Sequence, residues 1–132
     1  MNNLEISDAY KPVLEKVKKF IAEEVDPVTM EYHAETEQID NRWTYTARQE
    51  EIREGLKDKA RAAKLLNFFL PDAESPDTPK ITNLDYAYMA EAMGPNALAS
   101  EVFNCSAPDT GNMEVLERYG TEAQKKNSLS RC

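Results

Sequence analysis

Glycine, cysteine, histidine and basic charge are all scarce in this 132-residue chain, and each shortage closes off a class of chemistry. The 4 glycines, Gly55, Gly94, Gly111 and Gly120, are dispersed, so no glycine-rich loop exists to cradle a phosphate. No Asn-Gly or Asp-Gly pair lies between alternating apolar runs, which leaves few hairpin signals. His33 stands alone, which excludes a multi-histidine metal site. Its neighbours Glu31 and Glu35 lie two positions away rather than at the i+3 or i+4 spacing that meets on a helix, so a surface or structural role is expected. Two cysteines, Cys105 and Cys132, do not make a disulfide framework, and neither has a base nearby in sequence. A buried small residue and a mobile terminus are the expectations for them. Asn104-Cys105-Ser106 spells a glycosylation sequon, which carries no weight without a secretory signal.

With 16 Lys and Arg against 24 Asp and Glu, the net charge of −8 argues against the broad basic surface that nucleic acid selects. No window approaches the roughly 20 apolar residues of a membrane span. The opening MNNLEISDAY is acidic rather than a basic signal or transit sequence, so no compartment is addressed, and a reduced, intracellular setting (cytoplasmic, mitochondrial or peroxisomal) is the expectation.

What the chain does have is helical periodicity and enough apolar residues, 41%, for one core. After Ser7 as a plausible N-cap, Val13, Leu14, Val17, Phe20, Ile21 and Val25 share one helical face, and Pro27 is expected to close that helix. The polar stretch 28–47 has no clear period. From Ala47 to about Lys64 a weaker stripe runs through Ile52, Leu56, Ala60 and Ala63, and Leu65 to Leu70 reads as buried loop. Three prolines and acidic residues in 72–80 predict a solvated loop. Thr82 and Asp85 then form a capping box for a helix with Leu84, Ala87, Tyr88 and Ala92 on one face, ended by Gly94 and Pro95. Ala97 to about Cys105 is a further short helix. Asp109 or Thr110 caps another over Gly111 to Tyr119, Gly120 ends it in a left-handed conformation, and Thr121 with Gln124 opens the last. The expectation is all-α: a bundle of five to six helices, orthogonal or up-and-down, without a sheet.

The spelling adds what periodicity cannot. RYGTEAQKK resembles the (Y/F)GTxxQK element of the acyl-CoA dehydrogenases, near the end of their N-terminal helical domain. The FIAEEVDP ending of the first helix, NFFLP at 67–71, TNLDYAYMAEAMG at 82–94 and FNCSAPDTGNMEVLERYGTEAQK at 103–125 follow in the family's order. The last is similar to the less-studied long members of the family. This likeness covers residues 1–126, an N-terminal helical domain; the NSLSRC ending, residues 127–132, departs from the family and is expected to be a disordered tail, as if the chain stopped before the β-domain.

The resemblance implies flavin-dependent α,β-dehydrogenation of acyl-CoA thioesters by the intact family enzyme, with flavin adenine dinucleotide (FAD) between the β-domain and the C-terminal helices and a carboxylate base from the C-terminal part. It implies no catalytic, cofactor or metal residue in this chain, and no FAD bound by it alone. What remains is one wall of the acyl-chain tunnel, from Val102, Phe103, Ser106, Ala107 and Thr110, of which Val102 and Phe103 can equally be plain core. A homo-oligomer is expected from surface that missing domains would cover. The competing expectation is a helical interaction or oligomerisation module without catalysis; a metal-binding bundle is weaker still, since Glu-x-x-His is absent.

Overall fold

The structure, a computed structural model, describes residues 4–37, 43–70 and 81–128. The loop expected at 72–80, Cys132 and residues 129–132 of the expected tail lie outside the described residues. Among those described there is no strand: α1 (Lys11–Phe20), a π turn (Ile21–Val25), α2 (Asp26–Thr36), α3 (Ala47–Ala62), α4 (Asn83–Met93), α5 (Ala97–Val102), α6 (Asp109–Tyr119) and α7 (Glu122–Ser128). The first three segments are continuous, so they form one rod and the bundle has six. α7 runs two residues into the stretch expected as tail.

The rod corrects the expected stop at Pro27. In an α-helix the proline ring collides with the carbonyl four residues back and leaves it unpaired. Here the Asp26 N–H reaches back to the Ile21 carbonyl, which opens one wide turn. Pro27 then falls in the first turn of α2, where no backbone donor is needed. The Thr29 hydroxyl donates to the Val25 carbonyl, the last of the irregular turn, at 2.9 Å. Ser7 does not cap α1 with its side chain; its carbonyl takes the Tyr10 and Lys11 N–H groups, and the helix starts at Lys11.

Leu14, Val17 and Phe20 of α1 are buried, with Ile21 and Val25 of the π turn, while α2 buries no residue fully. Each such apolar side chain contributes roughly 1.5–3 kcal/mol on leaving water. α1 packs on α4, and α3 packs on both α2 and α5. Thr46 and Gln49 close a reciprocal capping box on α3, a T-x-x-Q signal of the same kind as those noticed downstream. Ile52, Leu56 and Ala60 are buried, but Ala63 is exposed, because the helix has already ended and Lys64 turns left-handed at φ 58. That turn sends the Leu65 N–H back to the Ala60 carbonyl at 2.8 Å and buries Leu65.

On α4 the fully buried residues are Asp85, Met89 and Met93; of the expected face, Leu84, Tyr88 and Ala92 are half-buried, Tyr88 and Ala92 packing against the core, and Ala87 is exposed. Asp85 is tolerated inside because Ser7 N–H (2.8 Å) and the Thr82 hydroxyl (2.6 Å) both donate to it. Burial alone would raise its pKa; these hydrogen bonds outweigh burial and hold the carboxyl below its ordinary value. The Thr82 box, the end at Gly94 and the Thr121–Gln124 box all form where the sequence places them. α5 ends at Val102, three residues short of expectation, because Asn104 turns left-handed at φ 57. α6 begins at Asp109, since the Ser106 carbonyl takes the Thr110 N–H at 3.3 Å; neither Asp109 nor Thr110 caps it. Gly120 is extended (φ −70, ψ 145), not left-handed.

Candidate functional site

The five residues expected to form the acyl wall divide between core and surface. Val102 and Phe103 have no exposed surface. The Phe103 ring lies 5.4 Å from Phe20 and 5.7 Å from Phe68 at tilted angles, so it joins α1, the 65–70 turn and the end of α5 in one aromatic contact. Ser106 and Thr110 are half-buried and Ala107 is exposed. Thr110 thus lies in the first turn of α6, and Ser106 and Ala107 lie on the turn that joins α5 to α6.

That turn is held by two asparagines that sequence inspection passed over. Asn67 and Asn104 both adopt left-handed backbone, at φ 58 and φ 57, which asparagine tolerates better than most residues. The Asn104 Nδ2 donates to Asn67 Oδ1 at 2.7 Å and lies 3.4 Å from the Met113 sulfur on α6. The Asn67 N–H donates to the Phe103 carbonyl at 3.0 Å. An asparagine directly after a helix is the local signal; the pairing across 37 positions has none.

Beside the turn, Glu101 receives Lys57 Nζ at 2.8 Å and an Arg53 guanidinium nitrogen at 3.3 Å, which fastens α5 to α3. Burial pushes its pKa up, and the two cations outweigh burial and bring it below the ordinary carboxylate value. The Arg53 guanidinium also lies 4.8 Å from the centre of the Tyr45 ring. Cys105 is a packing residue: burial drives its thiol up to about 12, so the nucleophilic thiolate is suppressed. His33 is exposed on α2, as expected. Among the described residues no group of three His, Cys, Asp or Glu gathers as a metal would require, and no helix is long and apolar enough to cross a membrane.

An open groove of about 640 Å³ lies elsewhere, between the π turn, α2 and the α4–α5 junction, and includes Asp26, Met30, His33, Ala92 and Asn96. None of the five wall residues lines it.

Open backbone donors at a helix N-terminus are one common cradle for the pyrophosphate of FAD. Among the described residues, the N-termini of α3, α4, α5 and α7 are closed by Thr46, Thr82, Asn96 and Thr121. α6, with no side-chain cap, carries the Asp109 carboxylate in its first turn, where it opposes an anion. α1 has no side-chain cap either, but a proline in its first turn removes one donor and the Ser7 carbonyl takes the Lys11 N–H. These helix ends do not make a pyrophosphate cradle.

No protein-family model matches the chain. It is 44% identical over 127 residues to acyl-CoA dehydrogenase family member 10 of Mus musculus, covering 94% of this chain and 11% of that protein. It is 46% identical over 120 residues to acyl-CoA dehydrogenase family member 11 of Gallus gallus, covering 89% of this chain and 14% of the other. A solved structure from Mycobacterium abscessus, provisionally assigned as an acyl-CoA dehydrogenase, superposes with a TM-score of 0.75 at 39% identity over 96% of this chain and 31% of its own. The chain thus spans about an eighth of the length of these curated relatives. By sequence and by fold, it belongs to the acyl-CoA dehydrogenase family, matching one helical segment of those longer proteins.

Proposed function

We propose that residues 1–126 act as the N-terminal helical domain of a flavin-dependent acyl-CoA dehydrogenase, and that Ser106, Ala107 and Thr110 face the acyl tail while Val102 and Phe103 back them from the core. The observation that carries this is the 44–46% identity to named family members across nine-tenths of the chain, with the same helical fold in a solved relative. An acyl tail is held by excluding water, which calls for small and apolar side chains on a rigid backing. FAD, bound outside this chain, supplies the hydride acceptor; the base also lies elsewhere. By itself the chain should purify without flavin absorbance and oxidise no acyl-CoA, and tight stoichiometric flavin binding would overturn that.

The test joins this chain in place of the matching segment of the Mycobacterium abscessus protein and follows acyl-CoA oxidation over a series of acyl lengths. Ser106→Phe and Thr110→Leu should penalise long substrates more than short ones, since one methylene in an apolar pocket is worth roughly 1–3 kcal/mol. A uniform loss, or none, would return these residues to plain packing.

One observation favours a second reading, a helical oligomerisation module. Val115 and Tyr119 stand one turn apart on α6, 58% and 80% exposed. In either reading that face supports self-association, and a strictly monomeric chain at high concentration in sedimentation would count against it.

A further inference from the structure

We propose that Asn67 and Asn104 are positioning residues: their side-chain hydrogen bond sets the height of the turn between α5 and α6, and with it the depth of the acyl pocket. This rests on reading Ser106 and Thr110 as the pocket wall.

The turn is fixed at four points. The Phe103 carbonyl takes the Asn67 N–H at 3.0 Å, and the Cys105 N–H goes to the Ser100 carbonyl at 2.8 Å. The Asn104 amide, only 7% exposed, reaches both Asn67 and the Met113 sulfur. A buried amide is costly to leave without partners, so the clasp holds one geometry. Ser106 and Thr110 lie between these points, and the Ser106 carbonyl starts α6 by accepting the Thr110 N–H. Their side chains therefore take their position from a bond made two residues upstream, to a turn 37 positions away. Both asparagines sit in left-handed backbone, where glycine is also accommodated, so a glycine at either position removes the clasp and keeps the chain path.

The experiment uses the joined protein and the chain itself. In the joined protein, Asn104→Gly should shift the ratio of kcat/KM for long against short acyl-CoA toward longer chains by about tenfold. The shift should appear in KM, with kcat for the short substrate unchanged. Asn67→Gly should shift it in the same direction, and the double variant no more than Asn104→Gly, because that single already breaks the shared bond as well as the contact with the Met113 sulfur. Asn104→Asp should restore the profile, since a carboxylate accepts from the Asn67 amide once that amide is turned over. In the chain itself, Asn104→Gly should speed amide exchange over residues 106–113 by about tenfold, the loss of one hydrogen bond, and leave α1 to α4 unchanged. Equal loss at every acyl length, additive singles, or faster exchange everywhere would each overturn the clasp. If Ser106→Phe moves the length profile and Asn104→Gly does not, the clasp is wrong while the wall stands. If neither moves it, the wall reading falls and the clasp with it.

Discussion

Asn96 donates its amide to the Asp26 carboxylate at 2.9 Å, across 70 positions of chain. The same nitrogen donates to the Thr29 hydroxyl at 2.7 Å, and the Asn96 side-chain oxygen accepts the Leu98 N–H at 3.1 Å. One side chain thus caps α5 and pins the irregular part of the rod. Pro27 removes one backbone donor there, and Asn96 adds side-chain bonds from outside the rod.

Asn96→Ala should cost about 1–2 kcal/mol, about 1 for the lost cap and the rest for the half-buried Thr29 hydroxyl, since water replaces the donor at the exposed Asp26 carboxylate. Asn96→Ser, which keeps a capping oxygen but cannot bridge, should fall between. Urea denaturation measures both. Equal stabilities for the serine variant and the native chain would show that the bridge to Asp26 and Thr29 contributes nothing.

Gly120→Ala should loosen the α6–α7 junction by about 1–3 kcal/mol, because a Cβ at that position would collide with the Leu116 carbonyl oxygen. Gly55→Ala and Gly111→Ala, where nothing lies within 4 Å, should instead stabilise by about 0.4–1 kcal/mol. Thermal melts of the three variants should rank in that order, with Gly120→Ala alone below the parent.

Acid should weaken the contact between the N-terminal segment and α4. Asp85 has a lowered pKa in the fold, so the unfolded chain takes up its proton first, and stability from this group is present above the ordinary carboxylate value of about 3.9 and lost as pH falls through the lower folded value. Asp85→Asn should flatten that part of the stability-against-pH curve. An unchanged slope in the asparagine variant would place the acid sensitivity on other groups, with Glu101 next in line.

Cys105 should resist alkylation. In a Cys132→Ser background at pH 8, iodoacetamide should label the chain only as fast as it opens, since the native thiol titrates at about 12. Labelling without denaturant at the rate of a free thiol would show an accessible sulfur.

The parts of this fold that local grammar writes were legible. Thr82-x-x-Asp85 and Thr121-x-x-Gln124 open helices as spelled, and Thr46-x-x-Gln49 does the same though it went unnoticed. Misreadings came where a distant partner decides. Pro27 continues a rod because the turn before it widens, with Asn96 holding the result. Asp85 turns the α4 face inward because Ser7 donates to it, so a polar residue occupies a position that a hydrophobic count assigns to solvent. Gly120 is glycine for want of space rather than for its φ. At the candidate site, Val102 and Phe103 read equally well as wall or core, and the aromatic contacts with Phe20 and Phe68 account for Phe103 as core.

The Ile21–Val25 turn holds one residue more than an α-helical turn of the same reach, so the extra residue is absorbed within the turn. A relative that lacks a single residue between 21 and 25 would close an ordinary α turn there and keep Thr29 opposite Asn96. A one-residue gap in an alignment here should be read as the loss of the wide turn, with the faces of the helix on either side unchanged.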